Sequence, residues 1–387
     1  MKKIYAIALL LISTLSFAQI PNGYYNNVGS LTGYALKSQL KTIVTNGHNP
    51  QSYTSGLWSL YANSLRDSFY ENDGSLLDIY SENPTATDPY NFTGTGQQCG
   101  NYNAEGVCYN KEHLIPQSYF NSAMPMYSDA HHVVPSDGKV NGWRSNYAFG
   151  LVDGTSTSPC NSGATNTPCN SQNGSKKGNN KNSGYSAGFS GTVFEPIDEF
   201  KGDVARSFLY FATRYETQMA GFFTTASAET NPPEVLAMFD GTNNKVFTNT
   251  FLNILLTWHQ NDPVSAKEIA FNNAIYTFQG NRNPYIDHPE YACLIWNSAC
   301  NALSTPTLEY ATISVYPNPS NDNKITVDAN VSIDNIELVN INGQIVLNIN
   351  KPVFNTNSYT MENLPKGFYF LRLSSENQSI IKKVIIN

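Results

Sequence analysis

The sequence predicts an α+β protein, in which a mixed, largely helical domain is followed by a small all-β sandwich. Three observations carry that expectation. Apolar residues recur at helical spacing in several segments ahead of Cys300. Beyond it the chain breaks into short β-rich runs separated by turn signals such as Pro317-Asn318-Pro319 and Asn342-Gly343. Residues 97–191, by contrast, are rich in Gly, Asn, Ser and Thr with little apolar periodicity. Irregular chain of that length in a compact domain marks either function or disorder.

At 387 residues the chain exceeds one typical domain. Lys2 and Lys3, the apolar run Ile4–Leu15 and the small residues Ser16-Phe17-Ala18 have the order of a cleaved secretory signal over residues 1–18. The run is too short to span a bilayer, and no later segment is long and apolar enough, so the mature protein is expected to be exported without membrane insertion. Ser30–Val44 reads as a helix, with Leu36, Leu40, Ile43 and Val44 in register behind a Ser30 cap. Leu76–Tyr80, bounded by Asp73-Gly74 and Pro84, reads as a short strand. Helical spacing returns over Phe200–Glu216, Asn249–Trp258 and Ser265–Gly280. Strands are expected at Ile313–Tyr316, Lys324–Val327, Ile336–Asn340, Gln344–Ile349, Gly367–Leu373 and Ile380–Ile386.

The six cysteines fit an oxidising compartment. The simplest pairing closes three small loops, Cys99–Cys108, Cys160–Cys169 and Cys293–Cys300, among about fifteen connectivities that six cysteines allow. Zinc ligation is the rival reading, but no C-x-x-C spacing occurs. A formal charge of -7 runs against a protein that grips nucleic acid mainly by phosphate. Net charge does not describe one groove, however, and Lys176, Lys177 and Lys181 crowd a polar stretch that reads either as a basic patch or as a solvated loop. Arg206 and Arg214, about two turns apart on one expected helix, suit ion pairs better than phosphate.

The stretch Lys111-Glu112-His113-Leu114-Ile115-Pro116-Gln117-Ser118, followed by Asp129-Ala130-His131-His132, Val140-Asn141-Gly142 and Arg144-Ser145-Asn146, gathers the parts that phosphodiester hydrolysis requires. A histidine can take a proton from water at neutral pH. Asn and Glu oxygens suit a hard divalent cation and leave positions for water and substrate. Arg144 offers a forked donor for phosphate. One difficulty is visible in advance: adjacent strand residues point to opposite faces, so Glu112 and His113 share a site only where the strand twists or ends, for which Pro116 gives a reason. Otherwise Glu112 stands behind the site.

These motifs, with Phe200-Lys201-Gly202-Asp203-Val204-Ala205-Arg206 and Gln279-Gly280-Asn281-Arg282-Asn283-Pro284, resemble the endonuclease I family of secreted and periplasmic nucleases over roughly residues 25–300. The resemblance implies a ββα-metal (His-Me finger) site within a largely helical domain. It implies His113 as general base, Glu112 and Asn141 as ligands of Mg2+ (alternatively Ca2+ or Mn2+), and cleavage of DNA, and RNA as a further substrate, with little sequence preference. Some relatives place a phosphate-contacting arginine between the two motifs. Tyr119–Ser128 contains none here, so that role falls to Arg144, to a more distant residue or to nothing. His132 and Asn146 are candidates for supporting the site or touching substrate.

Tyr316-Pro317-Asn318-Pro319, Leu364-Pro365-Lys366-Gly367-Phe368-Tyr369 and Lys382-Lys383-Val384-Ile385-Ile386 resemble the C-terminal sorting domain of the type IX secretion route, although Asn387 stands where a basic residue is common. The expected organisation is a signal at 1–18, a catalytic domain at 19–303 and a sorting domain at 304–387, secreted and monomeric. Two other classes compete. A secreted binding or adhesion protein on the same fold would have lost part of the Glu112, His113, Asn141 set, which is intact. A zinc hydrolase using His113, His131 and His132 lacks any H-E-x-x-H spacing.

Overall fold

The computed structural model describes residues 20–99, 103–156, 158–160, 168–222, 233–296, 313–329, 332–340, 344–355, 357–375 and 378–387. The expected signal over residues 1–18, the domain boundary near 303 and Cys300 lie outside these residues. The chain divides into two compact units, Met1–Ala299 and Cys300–Asn387.

In the first unit, α1 (Gly33–Thr45) buries Leu36, Leu40, Ile43 and Val44 as their spacing requires. Thr32 rather than Ser30 occupies its cap position, and no side chain caps it. Leu76–Tyr80 is not a strand. Leu76 forms an isolated bridge with Arg66, and Leu76, Leu77, Ile79 and Tyr80 are all buried, so the apolar run reflects burial without strand pairing. Its backbone is held instead by Phe92, by Leu65 and by the Asp78 carboxylate.

The stretch from 97 to 191 is more ordered than its composition suggests. It contains β1 (Tyr109–His113), β2 (Val133–Asp137) and α3 (Gly138–Arg144). A four-stranded sheet follows, with order β3-β6-β5-β4, built from Ala148–Phe149, Thr192–Glu195, Lys176–Asn179 and Cys169–Asn170. Strands of two to four residues are too short to show a period of two. Cys99–Cys108 and Cys160–Cys169 are disulfides.

The helix α4 (Lys201–Arg214) is buried on nearly every side, and packs on α1 and on the helix Asn249–Asn261. The helix Ala266–Gln279 starts at a capping box between Ser265 and Glu268 and ends at Gly280, whose φ of 84° favours glycine. A second helix, α2 (Ser55–Ser64), was not foreseen. Its Leu57, Leu60 and Tyr61 form a core with Tyr109, Ala130, Val133 and Ile275, which anchors the β1–β2 hairpin.

The second unit has two antiparallel sheets. One has the order β10-β9-β12-β13, with β9 at Asn335–Asn340, β10 at Ile345–Asn350, β12 at Gly367–Ser375 and β13 at Gln378–Ile386. The other has the order β11-β8-β7, with β7 at Ile313–Tyr316, β8 at Ile325–Ala329 and β11 at Ser358–Met361. Ile325 and Val327 of one sheet and Ile336, Leu338, Leu371 and Leu373 of the other share a single core, which makes the unit a sandwich.

Candidate active site

The site is built by a hairpin feeding a helix. β1 and β2 pair antiparallel, with Glu112 opposite Val134 and His113 opposite Val133. β2 ends at Asp137, whose carboxylate accepts hydrogen bonds from the Lys139 and Val140 backbone N–H groups at 2.8 and 2.9 Å. That cap starts α3 and brings Asn141 back against β1 in the first turn.

Glu112 and His113 alternate in direction, yet both border one cavity of about 420 Å³ with Lys111, Asn141, Arg144 and Asn146. β1 ends at His113, one residue short of a last hairpin bond from the Leu114 N–H to the His132 carbonyl at 3.1 Å. The cavity also meets Tyr53, Trp58 and Asn110.

His113 Nε2 lies 3.1 Å from the Tyr127 carbonyl oxygen. A carbonyl only accepts, so in the neutral ring Nε2 carries the proton and Nδ1 keeps its lone pair. The ring stacks on Tyr127 and Tyr53 at 5.4 and 5.6 Å between centroids. Burial first, then His132 nearby, pushes its pKa down to about 3, against the opposing pull of the Tyr127 bond. The imidazole is therefore neutral at physiological pH and open to accept a proton.

Asn141 is oriented by its amide nitrogen, which donates to Asn110 Oδ1 at 2.7 Å and to the Lys111 carbonyl at 3.3 Å. With both donors spoken for, its Oδ1 is the atom left for an electrophile. Glu112 is almost fully buried. Its Oε1 accepts from the Tyr80 hydroxyl at 3.0 Å and faces Arg144 at 3.2 Å. Burial lifts its pKa to about 7 against the pull of Arg144 and Tyr80. A carboxylate so desolvated, beside an amide oxygen fixed in direction, is a donor set suited to a hard divalent cation.

The structure changes the picture of Arg144. Its Nη1 donates to the His113 carbonyl at 2.9 Å and its Nη2 to the Leu114 carbonyl at 2.5 Å, while the side chain is 1% exposed. The fork that the sequence offered to phosphate is spent on holding the end of β1 and on Glu112. Lys111 is the cation that faces the cavity instead, with Nζ 3.2 Å from the Trp58 ring centroid and 4.4 Å from that of Tyr53. Burial pulls its pKa down to about 8.

His132 is fully buried behind His113, donating from Nε2 to the Met126 carbonyl at 2.7 Å and packing on Phe211. Asn146 borders the cavity, and its backbone carbonyl accepts from the Tyr119 hydroxyl at 3.3 Å. His131 turns away to the Asn281 carbonyl. Arg206 is locked to Glu268, Arg214 to His48, and Lys177 is buried in β5, so none of these forms a free basic patch. Tyr80, Asn110 and Tyr127 went unrecognised in the sequence. Tyr80 lies 32 positions before Glu112, and Tyr127 contributes only a backbone carbonyl, which no side-chain motif announces.

A β-hairpin and a helix present a histidine, a carboxylate and an amide to one open cavity. The family model described as endonuclease I matches residues 32–290, and the chain belongs to that family. A second model, a secretion system C-terminal sorting domain, matches residues 314–387. The chain is 31% identical over 276 residues to an extracellular ribonuclease of Bacillus amyloliquefaciens, covering 70% of this chain and 78% of that protein. It is 30% identical over 277 residues to an extracellular ribonuclease of Bacillus subtilis (strain 168), with coverage of 70% and 78%. The protein is a secreted nuclease acting on nucleic acid, and its sorting domain addresses it to secretion machinery. No helix among the described residues is long and apolar enough to cross a membrane.

Proposed function

We propose that this nuclease hydrolyses RNA and DNA alike with the aid of a divalent cation, Mg2+ foremost and Ca2+ or Mn2+ as alternatives, after export as a monomer by the type IX route. The organisation that goes with this reading is a removed signal at 1–18, a catalytic domain at 19–303 and a sorting domain at 304–387, with Cys293–Cys300 as a third disulfide. His113 is the general base, and Glu112 and Asn141 hold the cation. The observation that carries the reading is the His113 Nε2–H bond to Tyr127, which leaves Nδ1 as the acceptor in the cavity that Asn141 also lines.

A base pushed down to about 3 removes a proton from ordinary water poorly. A bound divalent ion supplies the missing chemistry by acidifying water and neutralising the phosphate. His113 Nδ1 takes the proton of the attacking water. Lys111 meets a non-bridging phosphate oxygen, a role supported by its place on the cavity wall and by the engagement of Arg144. Arg144 acts by positioning: it ties the His113 and Leu114 carbonyls and pulls the Glu112 pKa down against the effect of burial. His132 backs the base, and Asn146 lies where a substrate strand would pass. The names of the two Bacillus relatives support RNA as a substrate.

The test is degradation of plasmid DNA and of RNA, with and without EDTA, by the wild type and His113→Ala. Chelation is expected to abolish cleavage of both substrates, and His113→Ala to cost at least about a hundredfold. Full activity in EDTA, or in the variant, would refute the assignment.

A further inference from the structure

We propose that Asp67, Glu71 and Glu82 form a second cation site, apart from the His113 cavity, and that it takes Ca2+. One ligand oxygen from each of the three carboxylates lies within 4.8 Å of the others. Three carboxylates from the protein suit Ca2+, which takes six to eight oxygen ligands, better than Mg2+, which keeps several waters and is usually held by one or two carboxylates.

Clustered acids alone prove nothing, but Glu82 adds a separate observation. It is 1% exposed, and its Oε1 is buried with no hydrogen-bond partner among the described residues. The other buried glutamates are Glu112, Glu195, Glu216 and Glu268, and each has a basic partner in Arg144, Lys201, Lys37 and Arg206 respectively. Glu82 has no such ion pair among the described residues. The groups that act on it are carboxylates: burial first, then the crowding of Asp88, Glu71 and Asp67 and a side-chain hydrogen bond with Glu71, lift its pKa to about 9.

A buried carboxylate without a counter-charge costs several kcal/mol, so either a cation or a proton must compensate it. A cation is favoured by the third carboxylate, Asp67, whose Oδ1 accepts from the Phe69 and Tyr70 backbone N–H groups at 3.0 Å. Those bonds hold Asp67 ionised, and its pKa is lowered despite burial. Glu71 is exposed, so the ion can enter and keep water ligands. Glu82 stands two residues beyond Tyr80, whose hydroxyl bonds Glu112, so the ion would also steady that support.

The test uses the full-length chain carrying Asn141→Ala, so that the amide assigned to the catalytic cation is gone. Calcium chloride is titrated calorimetrically, and thermal unfolding is followed with and without Ca2+. About one equivalent is expected to bind with a dissociation constant of roughly 10⁻³ M or tighter, raising the unfolding temperature. Adding Glu71→Gln, a surface change that does not threaten folding, should weaken binding by about tenfold or more, and adding Glu82→Gln should abolish it. An equivalent that survives Glu71→Gln unchanged belongs elsewhere and overturns the proposal. So does a Ca2+-silent parent in which Glu82→Gln raises stability, since Glu71 and Glu82 would then share a proton.

Discussion

The C-terminal sandwich encloses Ile325, Ile336, Leu338, Leu371 and Leu373 and, among its described residues, buries no charged side chain; Ser320 is its one buried polar group. The N-terminal unit encloses Glu112, His113, Asp129, Arg144, Arg206, Glu268 and Arg282, each tied to named partners. An apolar core is held by area removed from water and tolerates many exchanges that keep its volume. A polar interior pays a desolvation cost at every group and is repaid only where geometry matches. Chemistry sits in the unit whose interior is specified pair by pair.

Two substitutions set the units against each other. Arg144→Met leaves Glu112 buried without its guanidinium, and should cost about 3–5 kcal/mol of the N-terminal unit's stability. It should also reduce cleavage, because the uncompensated carboxyl holds its proton at neutral pH. Leu371→Ala opens the sandwich core, and should cost about 2–5 kcal/mol there. Nuclease activity should stay at the wild-type level in that variant. Calorimetry with activity assays on both variants decides the matter: full activity in Arg144→Met, or lost activity in Leu371→Ala, breaks the contrast.

A smaller effect sharpens it. His259 is buried, with Nε2–H donating to the Pro289 carbonyl at 2.9 Å, and burial first, then Arg206, lowers its pKa from 6.5 to about 4. Between those values the unfolded chain binds a proton that the folded chain refuses, so this group's contribution to stability falls as pH drops through that window. Removing it in His259→Gln should flatten the urea-unfolding stability curve, by up to about 1.4 kcal/mol per pH unit relative to the wild type. Parallel curves from pH 7 to pH 4 would contradict the buried neutral ring.

The same contrast explains what could be read in the chain. In the sandwich, β8 buries alternate residues, and the pattern Ile-Thr-Val-Asp-Ala announces it. β11, Ser-Tyr-Thr-Met, is mostly polar and was missed, because an edge strand needs only one inward face. In the N-terminal unit the residue types at the site were legible, since Glu112, His113 and Asn141 are unusual company. The hairpin and helix that carry them rest on a resemblance, not on periodicity. Arg144 shows the limit most plainly: the sequence offers a guanidinium, and only the fold reveals that main-chain carbonyls and Glu112 already hold it.

Anomalous scattering from Mn2+ in crystals of His113→Ala tests the central claim most directly. The expected result is one ion in the cavity, roughly 2.2 Å from Asn141 Oδ1, with Glu112 bound directly or through water. Manganese that supports cleavage by the wild type while no ion sits beside Asn141 would contradict the account.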